Sequence, residues 1–349
     1  MREMVAGLLA AGSPHRFVLY YADADLPGTH RGRGGGLPAR GAQLLWDHWA
    51  LPRAAARPPG RRLVPAERHP AGVRTPAVVT VHDLLYFRVP EFPHREYLRP
   101  DILYMRAMIP RSLRMARAVA CDSAWTMRDA GRLLRIPAAR MSVIPLAPGA
   151  AFRRPDAPPP AEIRAKHGLR NPFFLYAGTR SVRKNIRVLF EAFARCHRDI
   201  PHDLVLTGGG GHVVVEDRAE DVLDRHGIRD RVKVLGLIPQ ADLAALYRAA
   251  EAFVFPSRYE GFGLPPLEAF ACGCPVISSA ATSLAEVVGG AALTFDPLSP
   301  GQLEGHLRAV AADPALRERL RTAGLARAAT FRYEDSARAL LSLLETAAG

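Results

Sequence analysis

Lysine is nearly absent. Lys166, Lys184 and Lys233 are the only three, so 44 of the 47 basic residues are arginine. Arginine is the default cation, and a lysine in a loop marks a preference for a compact ammonium. Long apolar runs are also missing. None reaches the roughly 18 residues of a membrane-spanning helix, which excludes a helical integral membrane protein. The first residues, MREMVAGLLAAGSPHR, are too short and too weakly apolar for a signal peptide. Four cysteines (Cys121, Cys196, Cys272, Cys274) in 349 residues exclude a disulfide framework and favour a cytoplasmic chain. Cys272 and Cys274 have no second ligand pair nearby, so no metal is expected there. Asp23-Ala24-Asp25 is discounted, because about one such pair arises by chance in this composition. No zinc-finger spacing or RNA-binding aromatic motif is present, which argues against nucleic acid as a partner.

What is present is unevenly placed. Residues 1–170 hold 27 Arg+Lys against 13 Asp+Glu, a balance of +14; the rest hold 20 against 21, a balance of −1. A basic half attracts phosphates, whether on anionic lipid or on a substrate. An arginine-rich solvated surface is the plainer alternative. The length and a hydrophobic content of 48% suffice for two domains.

Strand-like runs alternate with helical patterns twice over. In the first half the runs are Phe17 to Tyr21, Ala77 to Thr80, Val119 to Cys121 and Ser142 to Pro145, with a helix over Arg106 to Ala118 that Pro110 could kink. Segments 28–41 and 53–76, rich in glycine, proline and arginine, read as loops, and Pro155 to Pro160 as a linker. The second half gives Phe173 to Ala177, Leu204 to Thr207, Lys233 to Leu235, Ala252 to Phe255 and Pro275 to Ser278. Such alternation predicts an α/β fold of two doubly wound Rossmann-like domains around a cleft, with ligands at the C-terminal ends of the strands. Gly208 to Gly211 follows a strand but is not a dinucleotide fingerprint; a flexible turn is favoured over a phosphate loop.

Phe255 to Val276 reads FPSRYEGFGLPPLEAFACGCPV. A strand turns sharply into a helix opened by Pro265 and Pro266, and such a helix start can hold a phosphate. Glu260 lies before the turn and Glu268 is predicted in the first helical turn, so both carboxylates can flank one bound molecule. His82 ends another strand. A lone histidine is more often structural, but this position favours function.

The segments GTRSVRKN from Gly178, RVKVLGLIPQADLAALYRAA, FPSRYEGFGLPPLEAFACGCPV and SLAEVVGGAALTFDP resemble the retaining glycosyltransferases of family 4, with their E-x7-E signature. VVTVHDLLYFRVPE and the run from Arg111 to Gly149 agree, so the resemblance covers about residues 77–335. It implies the GT-B fold, a nucleotide-diphosphate sugar as co-substrate, and no required metal or other cofactor. Residues 1–160 would form the acceptor-side domain and 161–331 the donor-binding domain, with a helix at about 332–349 packing back on the first. By matching position, Glu260 would contact the donor sugar and Glu268 the ribose. Gly261, Phe262, Gly263 and Leu264 would serve the sugar and diphosphate through backbone amides. Lys184 matches a phosphate-binding lysine, with Arg183 and Arg180 beside it, and His82 a histidine near the transferred sugar. Family members often carry arginine directly after the glycine that matches Gly178; this chain has Thr179. Family members also begin with a strand and a glycine-rich loop. Here Met1 to Ala11 resembles the helix that follows them, so an N-terminal domain lacking its first strand is expected.

The TVHDLLYF and G-T-x5-N style resembles the mannosyl- and rhamnosyl-transferring branches, so mannose from GDP-mannose is the first expectation. A basic half facing a membrane would suit a glycan or polyprenyl-linked acceptor in surface polysaccharide synthesis, with peripheral contact at the inner face. The alternatives are a catalytically impaired nucleotide-sugar-binding protein and a GT-B sugar-nucleotide epimerase.

Overall fold

The computed structural model describes residues 4, 7, 8, 64–66, 77–88, 99–154, 158–209 and 219–348. Ten strands stand among them: β1 Val64–Ala66, β2 Ala77–Val81, β3 Ala118–Cys121, β4 Met141–Val143, β5 Phe173–Ala177, β6 Asp203–Thr207, β7 Val232–Gly236, β8 Ala252–Phe255, β9 Val276–Ser279 and β10 Leu293–Phe295. The first-half helices are α1 Leu85–Arg88, α2 Arg99–Met115, α3 Ala124–Leu134 and α4 Ala150–Arg153. Then come α5 Pro160–Lys166, α6 Ile186–Cys196, α7 Ala219–Arg225, α8 Gln240–Ala249 and α9 Leu264–Ala271. The remainder are α10 Ser283–Val288, α11 Pro300–Ala312, α12 Pro314–Ala329 and α13 Tyr333–Ala348.

The strands form two parallel sheets, ordered β1-β2-β3-β4 and β10-β9-β8-β5-β6-β7. This is the two-sheet α/β architecture that the alternation predicts. Every residue of β5, β6 and β8 is buried, as expected where helices cover both faces of a parallel sheet. Successive side chains of β5 point to opposite faces. Phe173, Leu175 and Ala177 therefore join one core, while Phe174 and Tyr176 join the other. On that second face α6 contributes Ile186, Leu189, Phe190 and Phe193, an apolar stripe at helical spacing. Helix α13 lies against the first sheet. Its Ala337, Leu340 and Leu344 share a core with Val78, Ala118, Ala120 and Ile144, and Ser336 Oγ donates to Pro145 O at 2.6 Å.

Several boundaries differ from the sequence reading. Segment 53–76 is not wholly loop, because Val64–Ala66 pairs with β2. Three residues with a proline among them carry too little pattern to be read as a strand, and Pro65 cannot donate to a ladder. Helix α2 runs Arg99–Met115 with Pro110 inside it, seven residues earlier than predicted at its start. Pro160 is not linker but the first residue of α5, where a missing N–H costs nothing. Phe17 to Tyr21 and Gly210-Gly211 lie outside the described residues, as does most of the N-terminal stretch in which a first strand is expected to be lacking. The four cysteines are free and buried. Burial raises their thiols, Cys196 to about 11, and burial with the Asp122 charge takes Cys121 to about 12, so neither is a thiolate near neutral pH.

Candidate functional site

In the second sheet the strand order reverses between β5 and β8. A crevice opens where two adjacent strands send their following loops apart, so ligands gather there. Both loops of interest leave that point. The loop after β5 carries Gly178, Arg180, Arg183 and Lys184; the loop after β8 carries Glu260, Gly261, Phe262 and Gly263. They are joined by backbone, Arg258 N–H donating to Arg183 O at 2.7 Å.

The charged groups meet on one oxygen. Glu260 Oε1 accepts from Lys184 Nζ at 2.7 Å, Arg183 Nη1 at 3.0 Å and Ser257 Oγ at 2.6 Å. Lys184 Nζ also sits 4.7 Å from the centre of the Phe255 ring. The Glu260 and Lys184 side chains are only 12% and 10% exposed. Burial pushes the Glu260 carboxyl up, but Lys184 and Arg183 outweigh it and hold it below the usual glutamate value. Lys184 is thus tied to the carboxylate that the resemblance assigns to the sugar. Arg180 is half-buried in the same loop, and Gly178 N–H donates to Thr207 O at 3.0 Å.

Helix α10 grips the Glu260 backbone. Glu260 N–H donates to Thr282 Oγ1 at 3.0 Å, while its carbonyl accepts from Thr282 Oγ1 at 3.0 Å and Ser283 Oγ at 2.9 Å. Ser283 Oγ also reaches Phe262 O at 2.7 Å. Phe262 is buried edge-on to Phe331, with centroids 5.9 Å apart. Gly263, at φ +116°, makes the left-handed turn into α9; a Cβ there would stand 2.6 Å from Leu284 Cδ2. Leu264 opens α9, one residue before the prolines, so Glu268 is its fifth residue and not in its first turn. Only a helix start at Pro265 would have placed it there.

The opposite wall comes from the first sheet. His82 follows β2 and Asp122 follows β3, and the strands pair with Val81 opposite Cys121. The two residues therefore stand side by side, and His82 Nδ1 lies 2.7 Å from Asp122 Oδ2. An ionised carboxylate only accepts, so Nδ1 carries the proton and Nε2 is the basic nitrogen. Asp122 is buried, whereas the His82 side chain is 47% exposed. The walls touch through the neighbours of Glu260. Tyr259 Oη accepts Leu84 N–H at 3.1 Å, and Gly261 O accepts from Ser123 Oγ at 2.6 Å and Thr126 Oγ1 at 2.9 Å.

Sequence reasoning missed Ser257, Thr282, Ser283 and Asp122, which orient Glu260 and His82. Ser123-x-x-Thr126 ahead of a helical run was legible as an N-cap, and Ser123 Oγ does accept Thr126 N–H. Its second task across the cleft carried no local signal.

Residues 161–327 match the family model of glycosyl transferases group 1. The chain is 35% identical over 263 residues to O-antigen chain mannosyltransferase B of Escherichia coli, covering 74% of this chain and 67% of that protein. It is 32% identical over 201 residues to the serotype-specific mannosyltransferase WbdA of Escherichia coli, covering 54% of this chain but only 24% of that longer protein. The solved structure of WaaG, a glycosyltransferase involved in lipopolysaccharide biosynthesis, superposes with a TM-score of 0.67 at 19% identity, over 99% of this chain and 93% of that one. The two parallel sheets are those of the GT-B fold, and the chain belongs to the group 1 glycosyltransferases.

Proposed function

We propose that this chain is a retaining, metal-independent hexosyltransferase of family 4, moving mannose from GDP-mannose to a glycan or polyprenyl-linked acceptor in surface polysaccharide synthesis. The observation that carries the reading is the junction of Glu260, Lys184 and Arg183 at the switch point of the second sheet, with the His82 loop packed against Gly261. Two cations beside a helix start suit a leaving diphosphate, whose charge grows as the glycosidic bond breaks. In this role Lys184 and Arg183 meet the diphosphate, and Glu260 holds both cations at the sugar end. His82, oriented by Asp122, presents Nε2 toward the sugar. Gly261, Phe262, Gly263 and Leu264 bring backbone amides to the same place, and Glu268 on α9 is assigned to the ribose. The acceptor enters along the first-sheet wall.

Mannose is the preferred sugar because two relatives are named mannosyltransferases, one of the O-antigen chain. Among the described residues no helix is long and apolar enough to cross a membrane. Work at the cytoplasmic membrane face therefore rests on the basic first half and on surface groups such as Leu103, 70% exposed on α2. A thermal-shift screen of nucleotide sugars, followed by transfer assays and NMR of the anomeric product, tests the proposal. GDP-mannose should give the largest shift and an α-linked product. Stabilisation by a uridine donor alone would overturn the GDP-mannose assignment, and an inverted anomer would overturn retention.

A further inference from the structure

Helix α10 touches both walls of the cleft. At one end Thr282 and Ser283 hold the backbone of Glu260. At the other, the Glu286 carboxylate crosses to the first half and accepts Ala124 N–H at 2.9 Å and Trp125 N–H at 3.1 Å. These are the first two N–H groups of α3, which no carbonyl within the helix can serve. Ser123 already takes the third, Thr126 N–H, at 3.0 Å. Glu286 thus serves the donors that the helix's own cap leaves over, and its charge suits the positive end of α3. Arg327 steadies it from behind, donating from Nη2 to Glu286 O at 2.7 Å and from Nε to Val287 O at 2.9 Å.

We propose that Glu286 is the positioning residue of domain closure: a helix cap that the donor-side half supplies to α3 of the other half. Because the same short helix holds Glu260, seating Glu286 on α3 sets the position of Glu260 against the His82 loop. When the halves part, α3 loses two of its three caps, and the Ser123 and Thr126 hydroxyls lose Gly261 O. Closing and assembling the site are then one event.

The kinetic part of this inference rests on the transferase reading; the conformational part does not. Glu286→Ala in the full chain should shift the open-to-closed ratio about tenfold, the effect of losing a helix cap. Small-angle scattering should show a larger radius of gyration, with far-UV circular dichroism unchanged. With GDP-mannose as donor, kcat should fall about tenfold while the donor KM stays within twofold, because the donor binds the second half. Glu286→Gln keeps one acceptor oxygen and should recover part of both effects, even if the alanine variant folds poorly. A scattering profile equal to that of the parent in both variants would overturn the proposal. So would a rise in KM at constant kcat. If the parent transfers no sugar from any nucleotide donor but Glu286→Ala still opens it, the transferase reading fails and the latch stands.

Discussion

At Glu260 two opposing effects act on one carboxyl. Burial disfavours its charge, and Lys184 with Arg183 restores it with a surplus. The folded value lies below the ordinary one. The stabilisation is therefore complete above the usual glutamate range and is lost progressively as pH falls from that range through the lowered folded value. Lys184→Met removes the larger of the two cationic contributions and leaves burial less opposed. The acid limb of the transfer rate should then move to higher pH, and less stability should be lost on acidification, because the folded and ordinary values draw together. At neutral pH the variant should be less stable by about 2–3 kcal/mol, because a buried carboxylate loses a charged donor. Denaturant titrations across pH and a pH–rate profile check this; an acid limb that does not move would show that the pair is not coupled. Lys184 itself stood out in the sequence because lysine is so rare there. Its contact with Glu260 did not, since the two lie 76 positions apart and meet only because β5 and β8 are neighbours.

Among the elements, unbroken apolar runs were easiest to read. Phe173–Ala177 and Ala252–Phe255 have the predicted ends, because four or five consecutive buried residues leave no ambiguity of face. β1 was hidden by its length and its proline. The order β10-β9-β8-β5-β6-β7 was not legible either, because adjacency of strands is a long-range fact that local periodicity does not contain. For the same reason the loop after β2 could be named as a site element, but not as the surface on which the loop after β8 rests. That rest is tight: a Cβ on Gly261 would come within 1.8 Å of His82 O. Gly261→Ala should leave each half folded and donor binding nearly intact, yet hold the halves apart. Transfer should fall by about a hundredfold, the penalty of misplacing reacting groups by about an ångström. Calorimetric titration with GDP-mannose beside a transfer assay separates the two effects. An alanine variant with normal turnover would show that the loops need not touch in the reacting state.

Across the whole molecule, charge divides as function is proposed to divide. All of the net +13 resides in residues 1–170, so the first half carries the field that an anionic surface would feel. The protein should bind vesicles containing anionic lipid, ignore zwitterionic ones, and release as salt shortens the screening length. Flotation at increasing ionic strength measures this, and binding that ignores both lipid charge and salt would remove the electrostatic argument. A different consequence follows from α13. Residues 333–348 complete a core begun by Val78, Ala118 and Ala120, some 200 positions earlier. During synthesis the first half therefore leaves the ribosome without the Ala337, Leu340 and Leu344 side chains that share this core. The second half, whose core comes from a nearly continuous stretch, can finish first, a reversal of the usual N-terminal-first order. Chains stalled before Tyr333 should therefore bind an apolar dye that the full chain does not, while Cys121, whose side chain faces the other core, should already be shielded.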